Sequence, residues 1–413
     1  MPELHKVRKT CRICGSDKFE SILNFGDIAL TGVFLPNGAD VEKAPLELIR
    51  CENCGLGQLK HIYASDALYG DSYGYESHLN PSMVSHLQSK ARMLQGKFLS
   101  NIDAPIVVDI ASNDGTLLAG YTKDDIQLVG IDPLIGVVSD FYPPKSAKIQ
   151  SFFTKDAYFN KFSEKASLVT SLSVLYDLDS PVSFASEIYE ILADEGIWHF
   201  EQSYLPTMVD TMSYDTICHE HSLYLRLEDI AKILELSNFK LVDVSLNSIN
   251  GGSIAVTAIK TSNKVNMDPF VTHLLLKELA LGYIDGTRLR KFAVDAREHS
   301  SSLQALISNY ISEGFTIYGL GASTKGNALL QLCKIKKDDI KFIGDINPRK
   351  FGRQTPGSCI PIVNEVEVLG STQSKKLAIV LPWHFRDGIV KKSERYLIDG
   401  GRLLFPLPQI EIV

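Results

Sequence analysis

The sequence lacks the features that mark membrane-bound, secreted and nucleic-acid-binding proteins. No apolar run among its 413 residues is long enough to cross a membrane, and the first residues, MPELHKVRKT, lack the apolar core of a signal peptide. Positive charge is not in excess, since 42 Lys and Arg residues stand against 49 Asp and Glu residues. A net charge of −7 argues against binding to a phosphate backbone. We therefore expect a cytoplasmic protein that binds neither membranes nor nucleic acid.

Internal repeats and low-complexity tracts are absent as well. The composition, 45% hydrophobic and 22% charged, is typical of a globular protein, and the length allows two or three domains. From Pro105 onward, strand-like and helical segments alternate, which predicts a doubly wound α/β sheet. After Lys260 the pattern is helical, and a second α/β block follows. We expect domains at 1–70, 71–260 and 261–413.

The cysteines do not form the pattern of a disulfide framework. Four of the seven make two CxxC pairs, Cys11 with Cys14 and Cys51 with Cys54. Each pair can direct two sulfurs at one point, so the two pairs together can surround a zinc ion tetrahedrally. Four thiolates leave no open coordination position, which indicates a structural zinc in a small N-terminal domain. The alternative is two unrelated redox or buried pairs.

No GxGxxG motif follows the first strand of the α/β region. Instead, VVDIASNDGTLL places Asp109 at the end of an apolar strand, followed by a small-residue turn over 111–115 and an apolar run that can start a helix. The next strand, QLVGID, ends at Asp132, where a ribose-binding acid is expected, about 20 residues on. Because the turn lacks a pyrophosphate cradle, S-adenosylmethionine is expected rather than NAD. The alternative is an ordinary strand–turn–helix with polar turn residues.

Two histidines flank a carboxylate at His219, Glu220 and His221, shortly after the strand that ends near Tyr204. Loops at the carboxyl ends of such strands surround the ligand crevice. An imidazole with an orienting neighbour can remove a proton beside a carbonyl group. Zinc binding is a weaker interpretation, because no third ligand is evident. Histidines that make only structural hydrogen bonds are the other alternative.

Aromatic residues crowd a glycine-rich segment, LYGDSYGYESHLN, which contains Tyr69, Tyr73, Tyr75 and His78. A phenol in this segment either holds a substrate oxygen or simply packs. The residues favour neither interpretation over the other.

A second glycine-rich turn, YGLGASTKGN, lies between an apolar strand and an apolar helix near the C-terminus. Its glycines, the helix N-terminus and Lys325 can form a phosphate seat, and Asp345 ends the next strand. The alternative is a Rossmann-like domain that binds no free dinucleotide and contributes only packing or one wall of a substrate cleft.

Taken together, these motifs resemble the nucleotide-sugar C-methyltransferases of deoxysugar biosynthesis over nearly the whole chain. The paired CxxC region is similar to the family's zinc-binding domain, and DIASNDGTLL to its S-adenosylmethionine loop. YDTICHEHSLYL followed by NGGSIAV resembles the catalytic segment and the strand after it. YGLGASTKGNALL with GDINPRKFGRQTPG resembles the C-terminal Rossmann-like α/β domain. The resemblance implies that the middle domain has the doubly wound sheet of a class I methyltransferase.

The resemblance also implies roles for individual residues. His221 would be the base that takes a proton from C3 of the sugar, with His219 and Glu220 beside it and Tyr75 as a phenol at the substrate. Further expected substrate contacts are Tyr73, Asn250, Gly252 and Lys325. The expected cofactor-binding residues are Asp109, Ala111, Asn113, Gly115 and Asp132, and the expected zinc ligands are Cys11, Cys14, Cys51 and Cys54.

Three departures from the family pattern suggest a different sugar. Ala111 stands in the cofactor loop where glycine is usual. Cys218 stands where some relatives have a tyrosine, whose role would be vacant or would pass to Tyr214 or Tyr224. The residues at 175–177, LYD, replace a histidine-containing LAH run.

The implied reaction is methylation at C3 of a 4-keto-6-deoxyhexose linked to dTDP or GDP, carried out by a monomer or homodimer. Alternatives within enzymes are O- or N-methylation of a sugar and an epimerase-like activity. The alternative outside enzymes is a zinc-module scaffold that binds a nucleotide sugar without turnover.

Overall fold

A computed structural model describes residues 4–69, 75–139 and 141–413. The strands are β1 (His5–Val7), β2 (Phe19–Ala29), β3 (Leu35–Pro36), β4 (Lys43–Cys51), β5 (Gly57–Leu59), β6 (His61–Tyr63), β7 (Ile106–Ile110), β8 (Gln127–Ile131), β9 (Ala147–Ile149), β10 (Ala166–Leu172), β11 (Leu192–Ser203), β12 (Leu223–Tyr224), β13 (Phe239–Asn247), β14 (Ser253–Lys260), β15 (Thr316–Leu320), β16 (Ile343–Asp345), β17 (Arg353–Gln354), β18 (Ile362–Asn364), β19 (Lys376–Val380), β20 (Arg402–Phe405) and β21 (Glu411–Ile412). The helices are α1 (Ser65–Leu68), α2 (Pro81–Leu94), α3 (Lys155–Phe159), α4 (Pro181–Ile191), α5 (Leu205–Asp210), α6 (Leu227–Leu236), α7 (Pro269–Ala280), α8 (Thr287–Ser312), α9 (Thr324–Leu332), α10 (Glu365–Leu369), α11 (Arg386–Lys392) and α12 (Glu394–Ile398).

The predicted doubly wound α/β sheet is confirmed as a seven-stranded sheet with the order β13-β14-β11-β10-β7-β8-β9. Strands β7 to β11 pair in parallel, and β14 runs antiparallel to both of its neighbours. All residues of β7 are buried, as expected for a central strand covered on both faces. The carboxyl ends of the parallel strands lie at one edge, so the loops after β7, β8, β10 and β11 face one crevice.

The N-terminal sheet contains a strand from the middle of the chain. Its antiparallel order is β12-β5-β4-β2, and in β12 Leu223 pairs with Gln58 while Tyr224 pairs with Gly57. Strand β12 begins two residues after His221. The His-Glu-His segment is therefore fastened to the N-terminal sheet by backbone hydrogen bonds.

The C-terminal block forms a second α/β sheet, with the order β18-β16-β15-β19-β20-β21 and only β21 antiparallel to its neighbour. The long helix α8 precedes it. Its buried residues include Leu289, Phe292, Ala296, Leu303 and Ile307, whose spacing forms an apolar stripe along one helix face. This stripe belongs to a core shared with residues of the N-terminal sheet and of the C-terminal sheet.

The structure differs from the sequence-based expectations in the segment after the 111–115 turn and in the packing of α7. The chain after the 111–115 turn forms only a 3₁₀ turn over 118–120, not the expected start of a helix. Helix α2 packs closely on this turn, since a Cβ at Gly120 would lie 2.7 Å from Cβ of Ala91. Helix α7 lies beyond the expected boundary at 260 but packs against α6 and against β13 of the seven-stranded sheet. The domain boundaries stay predictions.

Within the described ranges, none of the helices combines the length and the apolar character that crossing a membrane requires.

Candidate functional site

The two CxxC pairs meet at one point. The four Sγ atoms of Cys11, Cys14, Cys51 and Cys54 all lie within 4.8 Å of one another. Sγ of Cys11 is 3.7 Å from Sγ of Cys54, and Sγ of Cys14 is 3.6 Å from Sγ of Cys51. A zinc–sulfur bond of about 2.3 Å in a tetrahedron requires sulfur separations of roughly 3.8 Å. These four residues therefore fit a zinc ion, as predicted.

Glycine turns and a buried arginine hold the zinc-binding residues. Gly15 and Gly55 follow the two pairs at φ values of 73° and 80°, which only glycine adopts readily. The guanidinium of Arg226 donates to the carbonyl oxygen of Cys54 at 2.9 Å and to the carboxylate of Asp229 at 2.7 Å. Because Arg226 begins the segment that leads into α6, the zinc knuckle is connected directly to the chain after the His-Glu-His segment.

The cofactor loop after β7 presents two buried carboxylates. Oδ1 of Asp109 accepts a hydrogen bond from Oγ1 of Thr170 at 2.7 Å, and burial raises the pKa of Asp109 to about 7. Asp132, at the end of β8, accepts from the backbone N–H groups of Asn113 at 2.9 Å and Leu134 at 2.7 Å. Carboxylates at the ends of adjacent parallel strands can accept hydrogen bonds from the ammonium and hydroxyl groups of an aminoacyl nucleoside. This donor and acceptor chemistry fits S-adenosylmethionine.

The backbone of the cofactor loop is left-handed at three positions. The φ values are 57° at Ala111, 48° at Asn113 and 87° at Gly115. A Cβ at Gly115 would lie 2.5 Å from the ring of Tyr142, so this position requires glycine for space as well as for conformation. The hydroxyl of Tyr142 lies 2.6 Å from Oγ of Ser112. Sequence analysis missed Tyr142, because it lies far along the chain in a segment without a motif.

Tyr75 lies beside the cofactor loop. Its carbonyl oxygen accepts a hydrogen bond from the side-chain amide of Asn113 at 3.2 Å, and the next residues bond the same loop, through Ser77 to Asn113 and His78 to Asp114. The Tyr75 side chain is 44% exposed. Tyr73, the other predicted substrate contact in this segment, lies outside the described residues.

His219 packs against the N-terminal sheet. Its Nε2 lies 3.2 Å from the carbonyl oxygen of Ala44, and its ring meets that of Tyr63 edge-on with centroids 4.9 Å apart. Burial lowers the pKa of His219 to about 4, so the ring is neutral at physiological pH. These contacts join the segment to the N-terminal sheet. Nδ1 of His219 is buried and has no hydrogen-bond partner among the described residues, and the role of His219 beside the base stays a prediction.

Glu220 bridges the segment to the N-terminal domain with one carboxylate oxygen. Oε2 accepts a hydrogen bond from Oγ1 of Thr31 at 2.8 Å. Oε1 is buried and has no hydrogen-bond partner among the described residues. Burial raises the pKa of this carboxyl group. Glu220 thus keeps one free oxygen for a ligand.

His221 has one ring nitrogen bonded to the backbone and the other without a bond among the described residues. Its Nδ1 lies 2.8 Å from the carbonyl oxygen of Thr216, and because a carbonyl only accepts, Nδ1 carries the proton and Nε2 has its lone pair free. Burial, followed by the positive charge of Lys325, lowers the pKa of His221 to about 3. The imidazole is therefore neutral at physiological pH, and a pKa this low makes it a weak base in the protein without ligands.

Lys325 of the C-terminal block contacts the turn before β14. Nζ of Lys325 donates to the carbonyl oxygen of Asn250 at 2.7 Å, and Asn250 itself is left-handed with φ 54°. Gly252 has φ 126°, and a Cβ there would collide with Thr207. The structure therefore brings Asn250, Gly252 and Lys325 together at one place.

Two residues near Gly251 and Lys325 were missed by sequence analysis. Nε1 of Trp383 donates to Oδ2 of the buried Asp215 at 2.9 Å, and the indole packs on Gly251. His384 is the next residue along the chain. Burial, followed by the positive charge of Lys325, lowers the pKa of His384 to about 3. Because these residues follow β19 without a recognised motif, only the tertiary structure reveals them.

Several buried polar atoms around the crevice have no hydrogen-bond partner within the described ranges. These are the side-chain amide of Gln202, Oδ1 of Asp215, Oε1 of Glu220, the hydroxyl of Tyr224 and Nδ1 of His384. An unpartnered buried polar group is costly, so such groups mark a place where a ligand or water completes the hydrogen bonds. Each of these atoms is therefore a candidate contact for a ligand or a water molecule.

The two tyrosines that could compensate for Cys218 occupy different environments. The hydroxyl of Tyr214 lies 3.0 Å from Nδ1 of His299 and 3.2 Å from Sγ of Cys333, in packing contacts with α8 and the C-terminal block. The hydroxyl of Tyr224 is buried and unpartnered among the described residues. Of the two, only Tyr224 has a hydroxyl free for a ligand.

Protein groups bond the backbone of Ala322 in the glycine-rich turn before α9. The N–H of Ala322 donates to Asp345 at 2.7 Å, and Nζ of Lys350 donates to the carbonyl oxygen of Ala322 at 2.8 Å. Lys350 also lies over the ring of Phe34 from the N-terminal part. The phosphate seat and the alternative of packing or one wall of a substrate cleft both stay predictions.

Comparison with known proteins matches three segments of the chain to families. Residues 11–69 match a zinc binding domain, residues 83–244 a methyltransferase domain and residues 248–408 the C-methyltransferase C-terminal domain. The chain is also similar to the C-methyltransferase NovU of Streptomyces niveus, with 28% identity over 421 residues that cover 100% of this chain and 99% of that protein.

Solved structures of other methyltransferases show a more limited likeness. The glycopeptide N-methyltransferase MtfA is 11% identical, with a TM-score of 0.32 over 42% of this chain and 90% of that chain. Magnesium protoporphyrin IX methyltransferase from Synechocystis PCC 6803 is 14% identical, with a TM-score of 0.31 over 48% of this chain and 89% of that chain.

Proposed function

Since this chain belongs to the C-methyltransferase family that combines zinc-binding, methyltransferase and C-terminal domains, we propose that it methylates C3 of a nucleotide-linked 4-keto-6-deoxy sugar. The chain is an S-adenosylmethionine-dependent C-methyltransferase with a four-cysteine zinc-binding domain. The sugar, the carbon that is methylated and the roles of individual residues are the proposal.

His221 is the base in this proposal. A carbon atom becomes a nucleophile only after it loses a proton, and a ketone at C4 makes the C3 proton acidic. The observation that carries the proposal is the orientation of His221, whose Nδ1–H donates to Thr216 and whose Nε2 is left to accept a proton.

Lys325 is the group that stabilises the enediolate formed when the proton leaves. Its charge is close enough to His221 to lower the pKa of that imidazole. A fixed positive charge in a site from which water is excluded lowers the energy of a developing negative charge on O4. Tyr75 and the free oxygen of Glu220 are further substrate contacts, and Tyr73, Asn250 and Gly252 line the same substrate site.

Asp109, Ala111, Asn113, Gly115 and Asp132 hold the cofactor. When bound, S-adenosylmethionine supplies the methyl group as an electrophile. The protein residues hold the reacting carbon in position, since correctly oriented reactants react much faster than freely diffusing ones. Cys11, Cys14, Cys51 and Cys54 hold the zinc ion, which has a structural role.

The test is exchange of the C3 proton with solvent deuterium, measured by NMR on 4-keto-6-deoxyhexoses linked to dTDP and to GDP. The wild-type protein should exchange this proton without added S-adenosylmethionine, and His221→Ala should lose the exchange. With the cofactor added, mass spectrometry should detect one added methyl group and NMR should locate it on C3. His299→Ala is the control variant. It also removes one imidazole, which bonds the hydroxyl of Tyr214, and it should keep the exchange.

Three results would contradict the proposal. Undiminished exchange in His221→Ala would remove His221 as the base. A methyl group on C5, the other carbon next to C4, would correct the position. A methyl group on oxygen or nitrogen would replace C-methylation of this substrate class.

A further inference from the structure

An aromatic residue contacts the proposed base. Tyr176 lies in the 3₁₀ turn over 175–177 that follows β10, and it is 7% exposed. Its ring meets the ring of His221 edge-on, with centroids 4.4 Å apart and an interplanar angle of 63°. Such edge-to-face contacts between rings are favourable and have a defined geometry.

The turn that carries Tyr176 is firmly placed. The backbone N–H of Ser173 donates to the carbonyl oxygen of Glu201 at 2.7 Å, which ties the start of the turn to the end of β11. Tyr176 and Leu175 pack in the same core cluster as Leu223 of β12. The tyrosine ring therefore has a fixed position from which it can restrain a neighbour.

His221 needs a second restraint. Within the described part of the chain its imidazole makes one hydrogen bond, from Nδ1 to Thr216. One hydrogen bond fixes one end of the ring but leaves the ring plane free to turn about that bond. A rigid aromatic ring against the imidazole removes this freedom.

We infer that Tyr176 is a positioning residue for His221, which holds the imidazole plane so that Nε2 points at the carbon to be deprotonated. This inference rests on the proposed function, because it assumes that His221 is the base. The ring of Tyr176 does the positioning, so its hydroxyl group is dispensable for that task. Nothing in the sequence motifs assigns a role to this tyrosine.

The experiment compares Tyr176→Phe with Tyr176→Leu. Phenylalanine keeps the ring, so proton exchange at saturating sugar nucleotide should stay close to that of the wild-type protein. Leucine removes the ring, and the rate constant should fall by up to about 100-fold, the size of effect expected when a reacting group shifts by about 1 Å. The KM for the sugar nucleotide should change little, because Tyr176 acts on the base.

A direct readout of the contact comes from NMR of histidine-labelled protein. The ring current of Tyr176 shifts the imidazole signals of His221, which are identified by their loss in His221→Ala. This shift should persist in Tyr176→Phe and disappear in Tyr176→Leu. Tyr189→Leu removes a tyrosine that packs on Phe239 within the same sheet, and it controls for a general loss of packing.

The outcomes separate the two proposals. If His221→Ala loses exchange while Tyr176→Leu keeps it, the positioning role is wrong and the base stands. If Tyr176→Phe loses exchange as completely as Tyr176→Leu, the hydroxyl acts directly and the positioning role is also wrong. If His221→Ala keeps exchange, the proposed function fails first.

Discussion

At the scale of single residues, Ala111 shows how one side chain can carry strain at a binding loop. Its φ of 57° lies in the left-handed region, where a residue with a Cβ costs roughly 1–2 kcal/mol. Glycine relieves this strain, although it also increases the entropy of the unfolded chain. The resemblance implied glycine at this position, and the backbone angle supplies the physical reason.

We expect Ala111→Gly to stabilise the protein by up to about 1 kcal/mol, because the relieved strain exceeds the added entropy of the unfolded chain. The measurement is the free energy of unfolding in urea. Ala104→Gly is a matched control, since Ala104 is exposed, has φ 46° and lies outside the cofactor loop. Both variants should gain stability, and only Ala111→Gly should alter affinity for S-adenosylmethionine. A loss of stability in both variants would contradict the strain argument.

The pH dependence of the reaction provides a second test at this scale. His221 acts as a base only when neutral, so activity falls as the pH drops through its pKa. Burial and Lys325 hold that pKa at about 3. Lys325→Met removes the positive charge, so the pKa of His221 should rise and the acid limb of C3 exchange should move to higher pH. Lys391→Met, an exposed change on α11, should leave the profile in place. An acid limb that stays in place in Lys325→Met would contradict the proposed contact.

Several residue roles could be predicted from motifs, and others could not. Both CxxC pairs were recognisable because the spacing alone limits where the sulfurs can point. The environments of His219 and His221 could not be distinguished, because neighbouring side chains in an irregular segment can point in opposite directions. His219 packs on Ala44 and Tyr63, residues that lie far away in the sequence.

At the scale of elements, the most consequential feature is the pairing of β12 with β5. It joins the segment that carries His221 to the sheet that contains the zinc ligands, and Arg226 adds a hydrogen bond to Cys54. The cofactor loop belongs to a different sheet. The zinc site should therefore matter more to the proposed base than to cofactor binding.

Removal of zinc with a chelator should test this coupling. Hydrogen exchange at the amides of β12 should rise and C3 proton exchange should be lost, because zinc-binding energy on the order of 10 kcal/mol no longer supports β5. Binding of S-adenosylmethionine, measured by calorimetry, should persist. Re-addition of zinc should restore protection and activity. Full protection of β12 without zinc would contradict the proposed link.

At the scale of the whole molecule, the N-terminal and C-terminal parts share one core. Phe292 of α8 is 1% exposed and lies in a cluster with residues of both sheets. Polar contacts reinforce the junction, since Asn327 donates to the carbonyl oxygen of Thr31 at 2.8 Å. Two segments separated by more than two hundred residues in sequence thus stabilise each other.

We expect Phe292→Ala to destabilise both parts together, by about 3–5 kcal/mol, because it leaves a cavity in their common core. Zinc release is followed with a coloured chelator, and unfolding is followed by circular dichroism. The midpoint temperatures of both transitions should fall to the same lower value in Phe292→Ala. Val294→Ala on the exposed side of the same helix should change stability by no more than about 0.5 kcal/mol. Zinc release at an unchanged temperature in Phe292→Ala would show that the two parts unfold separately.

The sequence by itself determined the local chemistry of this protein. Alternating strands and helices implied the doubly wound sheet, and paired cysteines implied the zinc-binding domain, because periodicity and ligand spacing act over a few residues. Only the tertiary structure decided that β12 joins the N-terminal sheet, that Tyr176 meets His221 and that the charge of Lys325 acts on His221. These contacts join residues distant in sequence, and their geometry depends on how the whole chain packs.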